Sequence, residues 1–231
     1  MNYIDPWGLW ESLRKLVEQT TGSVSWIGNN NMAGILGEKN TATVKINEKT
    51  QKYNVINGKV YVNVNEVGYI ENDRIIVDEQ DFYQDFDIAG TISICAYWDS
   101  EENFYISNTN IRVDSFSGHA YIEFTDLNGN LDTYSTNPAY IQFGTDEGMQ
   151  KNLESDIRLI NSTSTRKYSK LITNSQQTKM LNTINVPQND TWSLGNNCAV
   201  FASKVFKSAT GISFNANSPC SLQLAIIYKN K

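Results

Sequence analysis

Two side chains in this sequence have the types and the setting for covalent chemistry together, Cys198 and His119. His119 is the only histidine, so any cysteine–histidine pair must use it, and a metal site built from several histidines is impossible. Cys198 follows Asn196 and Asn197, both good helix N-caps, and precedes the run Ala199 to Phe206, which stops before Gly211. Glycine just past a helical run is the usual left-handed terminator, so the spacing predicts a helix whose first turn holds Cys198. Unpaired backbone N–H groups at a helix start favour a thiolate, and a nearby imidazole can take the thiol proton and pass it on. The same N–H groups can hold the oxyanion of an attacked carbonyl, and the Cys198 N–H is the first candidate donor. Cys95 lies in an apolar strand-like run and is expected in the core, whereas Cys220 follows Pro219 and is expected in a loop. His119 follows a glycine, which lets a backbone or ligand approach closely, and shares a strand face with residues 121 and 123. Each residue also has a plain reading: a histidine satisfied at a strand start, and a cysteine packed on an apolar helix. Their joint occurrence, each in the right kind of element, favours the chemical one.

The elements that must position this pair follow from hydrophobic periodicity. Leu9, Leu13, Leu16 and Val17 fall on one face of a helix that Thr20 to Gly22 stop. Residues 41–87 alternate in the manner of strands: Thr43–Ile46, Tyr53–Ile56, Val60–Val64 and Arg74–Val77, with Asn57-Gly58 as a hairpin turn. That hairpin resembles the small modules that recur in bacterial surface proteins as copper amine oxidase N-terminal-like repeats, and its plain reading is a supporting β-meander. Clearer strands follow at Gly90–Tyr97, Gly118–Phe124 and Leu131–Tyr134. Asp126-x-Asn128-x-Asn130-x-Asp132 has the acidic spacing of a calcium loop. Its glycine stands fourth rather than sixth and no glutamate stands twelfth, so an Asn-Gly turn is the better reading. Beyond Pro138, helices are expected over 146–160 and 175–184. The fold class expected is α+β.

Composition excludes several classes. The chain has 231 residues, a net charge of −6 and 11% aromatic residues, so it has the size and apolar content to build a core. No apolar run approaches the roughly 18 residues of a membrane span, and the N-terminus lacks a basic-then-apolar signal segment. The densest basic patch, Arg166-Lys167 with Lys170, is too small for a phosphate-binding face, so no nucleic-acid partner is expected. Three cysteines are too few for a disulfide scaffold, their spacing fits no zinc motif, and thiol chemistry calls for no cofactor. The 28 asparagines suit turns and strand edges.

Gly118-His119-Ala120 on a strand, followed some 80 residues later by Asn197-Cys198-x-x-Phe201 opening a helix, resembles the circularly permuted papain-like cysteine hydrolases. That grouping contains permuted cell-wall peptidase-like proteins and lecithin–retinol acyltransferase-like enzymes, and in it the histidine strand precedes the cysteine helix. The resemblance covers about residues 90–228. It implies a half-sheet packed on helices over 88–231, Cys198 as nucleophile and His119 as base and then acid. It also implies a third polar residue that orients the histidine, with Thr133 and Ser135 on the next strand and Glu123 on the histidine strand as candidates. Asn197, Asn196 and Trp192 are the expected substrate and oxyanion side of the cleft. Peptidoglycan peptides are one implied substrate class, and a lipid ester, in a phospholipase or acyltransferase, is the alternative. A non-catalytic binding module on the same scaffold is a third reading.

Tyr3-Ile4-Asp5-Pro6-Trp7-Gly8-Leu9 carries a second resemblance, to the Tyr-x-Asp-Pro-x-Gly-Leu signature that closes the Rhs/YD-repeat core of bacterial polymorphic toxins. It implies that residues 1–9 end such a core and that a toxin begins immediately after; the periodicity gives that remainder a helix and small β-rich region over 10–87. The toxin would be secreted through its Rhs-type parent shell and delivered into the periplasm or cytoplasm of a target cell. A cognate immunity protein is the implied partner.

Overall fold

In a computed structural model that describes residues 10–27, 40–72, 74–98, 118–136, 149–152, 160, 162–186 and 197–231, the frequent asparagines turn the chain. Among the described residues, those with left-handed backbone other than glycine are Asn47, Asn57, Asn63, Asn72, Asn152 and Asp87. Four of these asparagines sit in the tight turns of one sheet, where a side chain able to bond its own backbone tolerates positive φ. The architecture is α+β: among the described residues five helices accompany two sheets. The chain divides into two compact units, residues 1–89 and 90–231.

The first unit holds β1 (Trp10–Ser12), α1 (Leu13–Gln19), β2 (Ser23–Ile27), β3 (Asn40–Ile46), β4 (Lys49–Ile56), β5 (Lys59–Val62), β6 (Asn65–Glu71), β7 (Arg74–Asp78) and α2 (Glu79–Asp85). The strands form a curled antiparallel half-barrel in the order β1-β7-β6-β5-β4-β3-β2. The helix expected from Leu9 begins only at Leu13. Residues 10–12 pair instead with Ile76–Asp78, and Ser12 then caps α1 by accepting from the Lys15 N–H. Asp78 caps α2 in the same way, accepting from Gln80 and Asp81. Leu13, Leu16, Val44, Val60, Val77 and Phe82 are buried.

The second unit carries the candidate site. Its sheet runs β11 (Met149–Lys151), β10 (Leu131–Thr136), β9 (Gly118–Asp126), β8 (Ile88–Trp98), β12 (Arg166–Thr173), with β11 a three-residue edge strand. Ile94 stands opposite Ile122, and Thr133 opposite Glu123. In the β9–β10 hairpin the Asp126 carboxylate accepts from the N–H groups of Asn128 and Asn130 and from the Asn130 side chain, at 2.8–2.9 Å. Those bonds hold its carboxyl below the ordinary range, and Gly129 takes φ +84°. This is the expected turn. The helix expected over 146–160 is overturned at residues 149–151, which pair with Tyr134–Thr136. Asn152 ends that strand by donating its N–H to the Thr133 carbonyl and accepting the Thr133 N–H on its side chain. Residues 146–148 and 153–159 lie outside the described residues.

Three helices complete the unit: α3 (Asn174–Ile184), α4 (Cys198–Thr210) and α5 (Pro219–Lys229). A Thr173–Gln176 capping box starts α3. Phe201 and Phe206 of α4 are fully buried, each contributing about 2–3 kcal/mol relative to exposure. No helix among the described residues is long and apolar enough to cross a membrane.

Candidate active site

Cys198 is the first residue of α4, as its asparagine cap and the terminating Gly211, at φ +74°, require. The Asn197 side-chain oxygen accepts from the N–H groups of Ala199 and Val200 at 3.0 and 3.1 Å, and the Asn197 carbonyl accepts from Phe201. Helix geometry leaves the Cys198 N–H without an intrahelical acceptor, next to its own Sγ. Cys198 is 7% exposed.

The starts of α4 and α5 are tied together. The Asn197 side-chain amide donates to the Asn217 carbonyl at 2.8 Å, one residue before Ser218, the N-cap of α5. Ser218 and Ser221 form a capping box and Pro219 occupies the first turn. Cys220 is therefore in a helix, not in the expected loop, and is partly exposed. A Cβ added to Gly118 would come within 2.9 Å of the Pro219 Cβ and 2.8 Å of the Tyr97 carbonyl. Glycine at 118 thus lets α5 begin against the end of β9, beside His119, and the start of α4 lies at the same end.

Strand parity decides which face each candidate occupies. Glu123 stands opposite Ser93, and Ser93 bonds Ser169 of β12 at 2.8 Å, so Ser169 and Lys167 share the Glu123 face. Lys167 accordingly reaches Glu123, Nζ to Oε2 at 2.6 Å. Tyr168 points the other way and packs edge-on against Phe206 of α4 and against Phe214. The helices therefore cover the face of Gly118, Ala120, Ile122 and Phe124. His119, Tyr121, Glu123, Thr133 and Ser135 lie on the opposite face, where the His119 ring stacks on Tyr121 with centroids 6.0 Å apart. The structure thus gathers the expected histidine and all three expected orienting residues on one face, and Cys198 with Asn197 on the helical side. Both His119 and Cys198 stand at the Gly118 end of the sheet. Trp192 and Asn196 lie outside the described residues.

The His119 face is rich in polar side chains, with His119 itself half-buried. Cys95 stands opposite Tyr121 and is fully buried; burial first and then the Glu123 carboxylate push its thiol well above the ordinary range, as suits a core residue. Glu123 is 4% exposed, and its Oε1, like the Thr133 hydroxyl opposite, has no hydrogen-bond partner among the described residues.

Sequence reasoning passed over one residue on the helical side. Tyr134 stands opposite Ile122, so Thr136 falls two residues further along, on the same face and toward the Gly118 end where α4 begins. Thr136 is fully buried, and its hydroxyl has no hydrogen-bond partner among the described residues. The signal was parity: in β10 the even positions share the face of Ala120, whose missing bulk marks where a helix approaches. Among the described residues no group of His, Cys, Asp and Glu is placed to hold a metal. No family model, curated protein or solved structure matches the chain.

Proposed function

We propose that this chain is a thiol hydrolase on a permuted papain-like scaffold, with Cys198 as the nucleophile against an amide carbonyl. The first turn of α4 carries the reading: Asn197 occupies the amides of Ala199 and Val200, leaving the Cys198 N–H and Sγ side by side as oxyanion donor and nucleophile. Sγ attacks the carbonyl carbon while His119 takes the thiol proton. His119 returns that proton to the leaving amine as the C–N bond breaks, and water then hydrolyses the acyl-enzyme. This requires the first residues of β9 to turn the imidazole from Tyr121 around the sheet end toward α4. His119 is the second residue of its strand, next to a glycine, where such a turn is least costly.

The Rhs-like heptapeptide at Tyr3–Leu9 supports a delivered antibacterial toxin, with peptidoglycan peptides as substrate and a cognate immunity protein as partner. The same nucleophile would serve a phospholipase or acyltransferase. Incubation with peptidoglycan and, separately, phospholipid vesicles, followed by mass spectrometry, separates the two. Cleaved peptides absent with Cys198→Ala support the amidase, lysolipid or acyl transfer supports the lipid enzyme, and neither product contradicts both.

One observation favours a different class. The stack of His119 on Tyr121, on the face away from α4, is what a structural histidine in a non-catalytic binding module would show. In that reading His119→Ala alters stability and leaves Cys198 reactivity toward acyl donors unchanged.

A further inference from the structure

We infer that Thr136 is the second oxyanion donor of the Cys198 site: its hydroxyl stands on the face that α4 covers, at the end of the sheet where Cys198 begins that helix. The inference rests on the thiol-hydrolase reading and adds a residue to it. Three observations carry it. The register of β10 on β9, with Tyr134 opposite Ile122, puts Thr136 on the helical face, while Thr133 and Ser135 face away. The Asn197–Asn217 bond and the Gly118–Pro219 approach fix the start of α4 at the Gly118 end, which is the Thr136 end of β10. The Thr136 hydroxyl is fully buried yet has no partner among the described residues.

A buried hydroxyl without a partner costs about 1–3 kcal/mol, which a purely structural position would shed by using valine. The cost is recovered if the hydroxyl donates to charge that exists only during reaction. When Sγ adds to a carbonyl, the oxygen becomes an alkoxide and accepts two hydrogen bonds, from the Cys198 N–H and from Thr136 Oγ1. Both donors stay protonated, and the charge returns to the carbonyl as the leaving group departs.

The test uses the full chain and two probes. p-Nitrophenyl acetate acylates a thiol through a tetrahedral oxyanion, whereas iodoacetamide alkylates the same thiol by direct displacement with no oxyanion. Acetylation and alkylation of Cys198 are followed by mass spectrometry in wild type, Thr136→Val, Thr136→Ser and Thr43→Val, which removes a buried hydroxyl, without a partner among the described residues, from β3 of the first unit, with folding checked by circular dichroism. Thr136→Val is expected to slow acetylation by about 10²-fold, as loss of one oxyanion donor does, and to leave alkylation within about 2-fold. Thr136→Ser is expected to restore acetylation, and Thr43→Val to match wild type. Wild-type acetylation in Thr136→Val, or an equal fall in both reactions, overturns the role of Thr136 while the nucleophile stands. If Thr136→Val does not fold, an acetylation-to-alkylation ratio in Thr136→Ala equal to that of wild type overturns it. Failure of wild-type Cys198 to react with p-nitrophenyl acetate overturns the thiol-hydrolase reading itself.

Discussion

The Asn197 side chain spans the starts of two helices: its oxygen accepts from the first turn of α4 while its nitrogen donates to the Asn217 carbonyl, 2.8 Å away, just before α5. One residue therefore fixes Cys198 against the end of the sheet where Gly118 meets Pro219.

Asn197→Ala removes both functions. The lost cap alone costs about 1 kcal/mol, and the loss of a buried tie adds a similar amount. Asn197→Asp keeps the acceptor and loses only the donor, so it should fall between wild type and alanine. Urea denaturation of the three proteins gives the ranking, and equal midpoints for alanine and wild type would contradict it.

Much of this arrangement was legible in the sequence because it is local. The Asn197 cap, the Gly211 terminator and the buried stripe through Phe201 and Val205 needed no tertiary information. The Asn57-Gly58 and Asn128-Gly129 turns were equally plain. Cys220 was misplaced although Ser218, Pro219 and Ser221 spell a helix start; the capping serines lacked the acidic residue that usually marks the box. Residues 149–151 were misplaced because an edge strand owes its form to β10, not to its own pattern. β12 was missed because its exposed first half, Arg166 and Lys167, shows no strand alternation. The side of the sheet that α4 covers depends on Tyr168 meeting Phe206, a contact between residues 38 apart in sequence that no local pattern contains.

The Lys167–Glu123 pair should behave as a partly buried ion pair. Glu123 is enclosed, while the Lys167 side chain is 37% exposed. Lys167→Met leaves a buried carboxylate alone and should cost up to about 3 kcal/mol. Adding Glu123→Gln should recover most of that loss. A double-mutant cycle by thermal denaturation reads the coupling, and additive single effects would contradict it.

Asp132 gives the β10–β11 edge its acid sensitivity. Burial raises its carboxyl, but hydrogen bonds from Lys151 and Asn152 and the lysine charge outweigh burial and hold it below the ordinary range. A depressed carboxyl stabilises the fold fully above its unfolded value, near 4, and loses that contribution as pH falls through the folded value. Stability should therefore decline on acidification below about pH 4 more steeply in wild type than in Asp132→Asn. The difference should stay under about 1 kcal/mol and shrink in salt, because Lys151 is exposed. Parallel curves of melting temperature against pH for the two proteins would remove Asp132 from the account.

The central claim is that Cys198 and His119 work as one unit across the end of the sheet. The measurement that tests it most directly is the rate at which p-nitrophenyl acetate acetylates Cys198 in wild type and in His119→Ala, followed residue by residue with mass spectrometry. A general base contributes about 10²–10⁴-fold, so the account predicts a fall of at least 10²-fold at pH 7, with Cys198→Ala giving no acetylation above the Cys220 background. Equal rates in wild type and His119→Ala would contradict it and leave His119 as a ring stacked on Tyr121.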